Sequence, residues 1–221
     1  MNFKELEELA NSGIRQISLS EDIFFDGEYI EINANGLTID GGGHVIDANN
    51  ESSIFHINAD VTLRNIIFKN GYCEYSGGAI VNNGDLTIEN CRFEHNYSED
   101  YGGAIYNNSK LLIRKSIFEQ NKSEYGGAVY NCLNSILNLD GSVLASNSSE
   151  FEGGAIYNKA RLSVLSSSFK NNASFKGGAI YNEDELSLED CIFKGNIASD
   201  GNHIESENKE NSSVLNCRFF D

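Results

Sequence analysis

The chain is poor in positive charge: 16 lysines and arginines stand against 33 aspartates and glutamates, for a formal charge of −17 over 221 residues. Such a surface repels phosphate backbones and anionic headgroups, which argues against nucleic acid and membrane surfaces as partners. No stretch approaches the roughly 18–20 consecutive apolar residues that cross a bilayer, so no membrane insertion is expected. The start, Met1 to Gly13, is acidic and amphipathic and reads as neither a membrane span nor a signal peptide. Five cysteines, an odd number without CxxC spacing, argue against a disulfide framework and a zinc site. Proline and tryptophan are missing, yet 40% of the residues are apolar, too many for disorder. Abundant glycine, asparagine and serine fit many short strands joined by polar turns.

What is present is a repeat. Gly-Gly-Ala followed by Ile or Val starts at Gly77, Gly102, Gly126, Gly153 and Gly177, with spacings of 25, 24, 27 and 24 residues. After each copy comes Leu-x-apolar-x-x-small-x-apolar-x-x-Asn, from Leu86–Asn96 to Leu186–Asn196. Alternation puts Leu86, Ile88, Cys91 and Phe93 on one side, provided a turn at Glu89 and Asn90 resets the phase. Like residues recur at like positions because the coils of a parallel solenoid stack about 4.8 Å apart, which turns a period into ladders. Weaker copies at Leu37–Ile39, Val61–Phe68 and Val214–Phe219 extend the count. The expected fold is therefore all-β: a right-handed parallel β-helix, a single-stranded solenoid of about eight rungs of about 24 residues, over residues 14–221. Residues 1–13 are expected to form an N-terminal capping helix, since Phe3, Leu6, Leu9 and Ala10 share one face and the first rung's open edge needs cover. The chain stops at Phe219, Phe220 and Asp221, partway through a repeat. Continuation of the natural protein is the expectation there; end-to-end association at the open rung and Phe220 folding over the end are the alternatives.

Gly-Gly-Ala-Ile together with Phe-x-x-Asn (Phe93–Asn96, Phe118–Asn121, Phe169–Asn172, Phe193–Asn196) resembles the repeats of chlamydial polymorphic outer membrane proteins and of adhesin-like proteins of methanogenic archaea. The alternation covers roughly residues 61–221, and Leu37–Asp47 is similar to the entry coils of the archaeal proteins; Leu144 departs from the phenylalanine pattern. The resemblance implies an extracellular or cell-surface β-helix that contacts other cells, through glycans or surface proteins.

Several columns follow from the stacking. Arg64, Glu89, Arg114 and Asp140 alternate in charge, as exposed pairs that discourage register slips. Ile66, Cys91, Ser116, Ser142, Ser167, Cys191 and Cys217 form a small internal column in which thiols serve as apolar fillers, and Cys191 and Cys217 fall on neighbouring rungs. Asn96, Asn121, Asn147, Asn172 and Asn196 are expected as an internal turn ladder, which makes the sequons at Asn96 and Asn121 accidental. Tyr106, Tyr130, Tyr157 and Tyr181 share a position with Glu205. A buried unpaired carboxylate is costly, so this column is expected to be partly exposed and to offer a sugar-stacking, ligand-binding platform. An acid followed by an aromatic precedes the glycines at Glu74-Tyr75, Asp100-Tyr101, Glu124-Tyr125 and Glu150-Phe151. Solvated loops account for these acids; calcium held by Glu74, Asp100, Glu124 and Glu150 is the alternative, and no other cofactor is expected.

The expected function is a non-catalytic adhesin-like stalk. A polysaccharide lyase or glycosidase of the pectate-lyase-like fold is the rival, and a structural spacer a third reading. A catalytic site occurs once and breaks the repeat, whereas Asp40, Asp47, Asp184, Glu185 and Asp190 are scattered and the distinctive residues obey the period. His44, His56, His95 and His203 occupy unrelated positions and read as solitary surface or turn residues.

Overall fold

The computed structural model describes residues 1–200 and 203–221. The chain winds into a parallel β-solenoid of about eight coils, each contributing short strands to three long sheets. The first sheet has eight strands, from Ile30–Ile32 to Ile204–Ser206; the second has nine, from Gln16–Ser18 to Ser212–Leu215; the third has nine, from Ile23–Phe24 to Arg218–Phe220. A fourth, six-stranded sheet runs from Tyr72–Cys73 to Ile197–Asp200 along the middle and later coils. The strand pairings are parallel, and in the three long sheets they are in register: Ile80, Ile105, Val129, Ile156, Ile180 and Ile204 line up in one column.

Inward positions are apolar because alternation delivers Leu86, Ile88 and Phe93, and their equivalents, to the interior, where they are buried in the central coils; in the last coil Val214 and Phe219 are 50% and 46% exposed. Phase is reset between the second and third sheets by a residue in the left-handed region, Asn90 at φ 53° and Gly141 at φ 58° among others. Asparagine and glycine suit that turn, the first because its short side chain can bond locally and the second because it has no Cβ. Within the coil Phe93 and Phe118 stack at 4.6 Å and Phe169 and Phe193 at 4.8 Å. Leu144 interrupts the pile between them, in register with Phe118 and Phe169.

The doubled glycine has two separate causes. The first of each pair adopts positive φ, 65° at Gly102. The second lies so close to the next coil that a Cβ on Gly103 would meet the Gly127 carbonyl oxygen at 2.3 Å. Two asparagine ladders then satisfy the turns. Asn147 Nδ2 donates to Asn172 Oδ1 and to the Phe118 carbonyl, both at 3.0 Å, while its Oδ1 accepts from the Asn121 backbone N–H. The second ladder, Asn82, Asn107, Asn131, Asn158 and Asn182, closes the first sheet, each Nδ2 donating to the next Oδ1 at 2.6–2.7 Å as far as Asn182. All ten are buried.

The helix α1, Phe3–Ala10, opens with a capping box between Asn2 and Glu5 and buries Phe3, Leu6 and Ala10. Its polar side chains also reach the open edge of the first sheet. Glu7 accepts from the Glu31 backbone N–H at 3.0 Å, and Asn11 accepts from the Asn33 N–H at 2.9 Å while donating to the Glu31 carbonyl at 2.7 Å. That is the cover the first rung requires. At the other end Phe220 stays in the strand opposite Lys194 and does not fold over the last coil.

Candidate functional site

The outward face of the first sheet carries one column, Glu31, His56, Val81, Tyr106, Tyr130, Tyr157, Tyr181 and Glu205. The tyrosines stack as the period demands, with ring centroids 5.6, 5.0 and 5.1 Å apart. The expected exposure is corrected: Tyr130, Tyr157 and Tyr181 are 7%, 6% and 3% exposed, and Tyr106 is half-buried. The segment before each glycine pair folds back over the sheet and covers them. Tyr101 rests 4.7 Å from Tyr130, and Tyr125 meets Tyr157 edge-on at 5.7 Å. Burial, as the first cause, pushes all four phenols above their ordinary range, so they stay protonated donors. Tyr157 and Tyr181 donate to Glu183 and Glu207. Glu205 is half-exposed at the end of the column, a poor guide to its middle.

The covering segment holds two columns, and the acid-then-aromatic reading merged them. Bridges place Ser76, Tyr101, Tyr125, Glu152, Lys176 and Asp200 in one column, which faces the buried tyrosines. One residue earlier stand Tyr75, Asp100, Glu124, Phe151 and Phe175. In that outer column Tyr75 is 69% exposed, Phe151 38% and Phe175 53%. The strands slip register between Ser123 and Tyr125, in the coil of 27 residues, yet each row keeps its distance from the glycine pair; matching every acid with the next aromatic mixes aromatics one and two residues before the glycines, and that merged the rows. The distance to the glycine pair separates Tyr75, Phe151 and Phe175 from Tyr101 and Tyr125, of which Tyr101 is itself 37% exposed.

Of the four acids taken as calcium ligands, Asp100 and Glu124 share the outer column, whereas Glu74 and Glu150 lie one residue further back. The four acids therefore do not form one column, and among the described residues no group of three or more His, Cys, Asp or Glu side chains is placed to hold a metal ion. Burial, then the charges of Asp100, Glu150 and Glu99, lift the Glu124 carboxyl above the usual carboxylate range. At the head of the column a hollow of about 300 Å³ opens between Tyr29, His56, Tyr72 and Tyr75. His56 stacks under Tyr29 at 3.7 Å, and its Nε2 has no hydrogen-bond partner.

Other expectations are met elsewhere. Asp40 and Arg64 pair at 3.0 Å, and Glu89 and Arg114 at 3.2 Å. Cys91 and Cys191 are buried free thiols, held up at about 12 and about 11 by desolvation. His203 is a correction: it lies inside the last coils between Phe193 and Phe219, continuing the alanine column, and is not a surface residue.

No described helix is long and apolar enough to cross a membrane. No curated protein and no solved structure matches the chain. Residues 166–183 match the repeat of the Chlamydia polymorphic membrane proteins, a shorter stretch than the motif alternation covers, and this similarity suggests a surface protein with an adhesin-like role. Residues 12–173, well over half the chain, match the model of the right-handed β-helix region, and with the in-register coils described above this makes the chain a member of the right-handed β-helix family.

Proposed function

We propose that this β-helix is a non-catalytic, adhesin-like surface module whose outer column binds glycans. The observation that carries the reading is the row of Tyr75, Phe151 and Phe175, solvent-exposed aromatic faces held at fixed spacing on a hydrogen-bonded solenoid. Flat apolar rings in water carry an unfavourable hydration cost that a stacked sugar face relieves, and a scaffold fixed before binding loses little entropy in doing so. The Tyr130 and Tyr157 row supports the platform from beneath. The reading of no catalysis is supported by the scatter of Asp40, Asp47, Asp184, Glu185 and Asp190, where hydrolysis or elimination needs a single converging set. The reading requires no cofactor.

Replacing Tyr75, Phe151 and Phe175 together by serine is expected to abolish binding on a glycan array while leaving the circular dichroism spectrum and melting temperature unchanged. Retained binding in a folded triple variant would overturn the assignment. Release of reducing sugar or unsaturated product from pectin, alginate or mannan would overturn the non-catalytic part.

A further inference from the structure

The outer column places two carboxylates on adjacent coils with no cation beside them. Elsewhere acids mostly face bases on the next coil: Asp40 with Arg64, Glu89 with Arg114, Asp85 with Lys110, Arg161 with Glu185, Glu152 with Lys176. Where like charges do meet, Arg92 reaches both Glu94 and Glu119, and Lys170 and Lys194 are both exposed to water. Asp100 and Glu124 are half-buried and unbridged. They sit on adjacent coils, and among the described residues neither has a cation within ion-pair distance, although like charges directly opposite each other destabilise a sheet. They are also bracketed along the axis by the exposed rings, Tyr75 on one side and Phe151 and Phe175 on the other. A local rule broken at an exposed aromatic surface marks a place where a partner supplies what is missing.

We propose that the outer column takes a polymer of hexosamine with free amino groups, laid along the solenoid axis, its rings on Tyr75, Phe151 and Phe175 and its ammonium groups at Asp100 and Glu124. This rests on the glycan reading above and adds the chemical class. A pyranose is about as long as one coil's advance, so successive sugars meet successive rungs. Ammonium groups between the two carboxylates form charge-assisted hydrogen bonds and gain from neighbouring aromatic faces. Neutral sugars leave the Asp100–Glu124 repulsion unrelieved, and uronates add to it.

The test is calorimetric titration with three oligomers of equal length, a glucosamine, an N-acetylglucosamine and a galacturonate, at low and raised salt and at a pH where the amines are charged. The glucosamine oligomer should bind at least about tenfold more tightly than its acetylated counterpart, with the difference shrinking in salt, and the galacturonate should not bind. The D100N/E124Q variant, which removes a repulsion and so should melt no lower than the parent, should lose the preference. Equal affinity for the two hexosamine oligomers, or a preference that survives D100N/E124Q, overturns the charge assignment and leaves the aromatic platform standing. Failure of all three oligomers, together with a blank glycan array, removes the platform and this inference with it.

Discussion

At the scale of single residues the interior is held by amides as much as by hydrocarbon. Asn147 answers three neighbours at once, so replacing it with alanine strands the Phe118 carbonyl and the Asn121 N–H inside the coil. An unpartnered buried group costs about 1–3 kcal/mol, and Asn147→Ala should lower stability by about 3 kcal/mol in urea unfolding. Asn108→Ala, at an exposed position, should change almost nothing. His56 and His203 impose a pH dependence of common origin. Burial lowers both imidazole pKa values below the ordinary 6.5, so between the folded value and 6.5 the unfolded chain binds more protons and stability rises with pH. The urea midpoint should therefore be flat above pH 6.5 and fall as the pH drops below it, and His56→Gln/His203→Gln should flatten that fall.

Most of this level was legible in the sequence. Ile105, Val129 and Ile156 had to superpose if the period was structural, and they do. The Asn96 ladder was readable as well, because a polar residue recurring at a turn beside core positions has few other uses. Its twin at Asn82 carries the same signal, an asparagine five residues after the first glycine of every Gly-Gly-Ala copy, beside the position that the tyrosines mark. What the sequence withheld was exposure. Whether Tyr130 faces water depends on a covering segment whose register slips beside it, and no pattern within the tyrosine column reports on that segment.

At the scale of elements the helix α1 does what its apolar face announced and one thing more. It seals the first coil with Phe3, Leu6 and Ala10, and it lends Glu7 and Asn11 as surrogate strand partners to Glu31 and Asn33. Truncating a fully buried leucine costs about 2–5 kcal/mol, so Leu6→Ala should loosen the helix, and amide exchange at Glu31 and Asn33 should quicken by an order of magnitude or more while exchange in the central coils stays unchanged. Equal acceleration throughout would mean that helix and solenoid open as one unit.

At the scale of the whole molecule, each coil touches chiefly its neighbours, so stability is approximately a sum of rung and interface contributions. Phe118, fully buried and stacked on Phe93, lies mid-column; Phe219, nearly half exposed, lies in the last coil. Phe118→Ala should cost about 3–5 kcal/mol, Phe219→Ala much less, and only the central variant should split unfolding into two phases, detected as non-coincident fluorescence and circular dichroism transitions.

Each asparagine in the ladders bonds to its own likeness one storey along. Such a bonding scheme has no preferred number of storeys: copying residues 102–125 into the chain after Tyr125 adds a floor whose amides find the partners their originals had. Length is thus free to drift by unequal recombination without a search for new packing, and reach away from an anchoring surface can change by about 4.8 Å at a step.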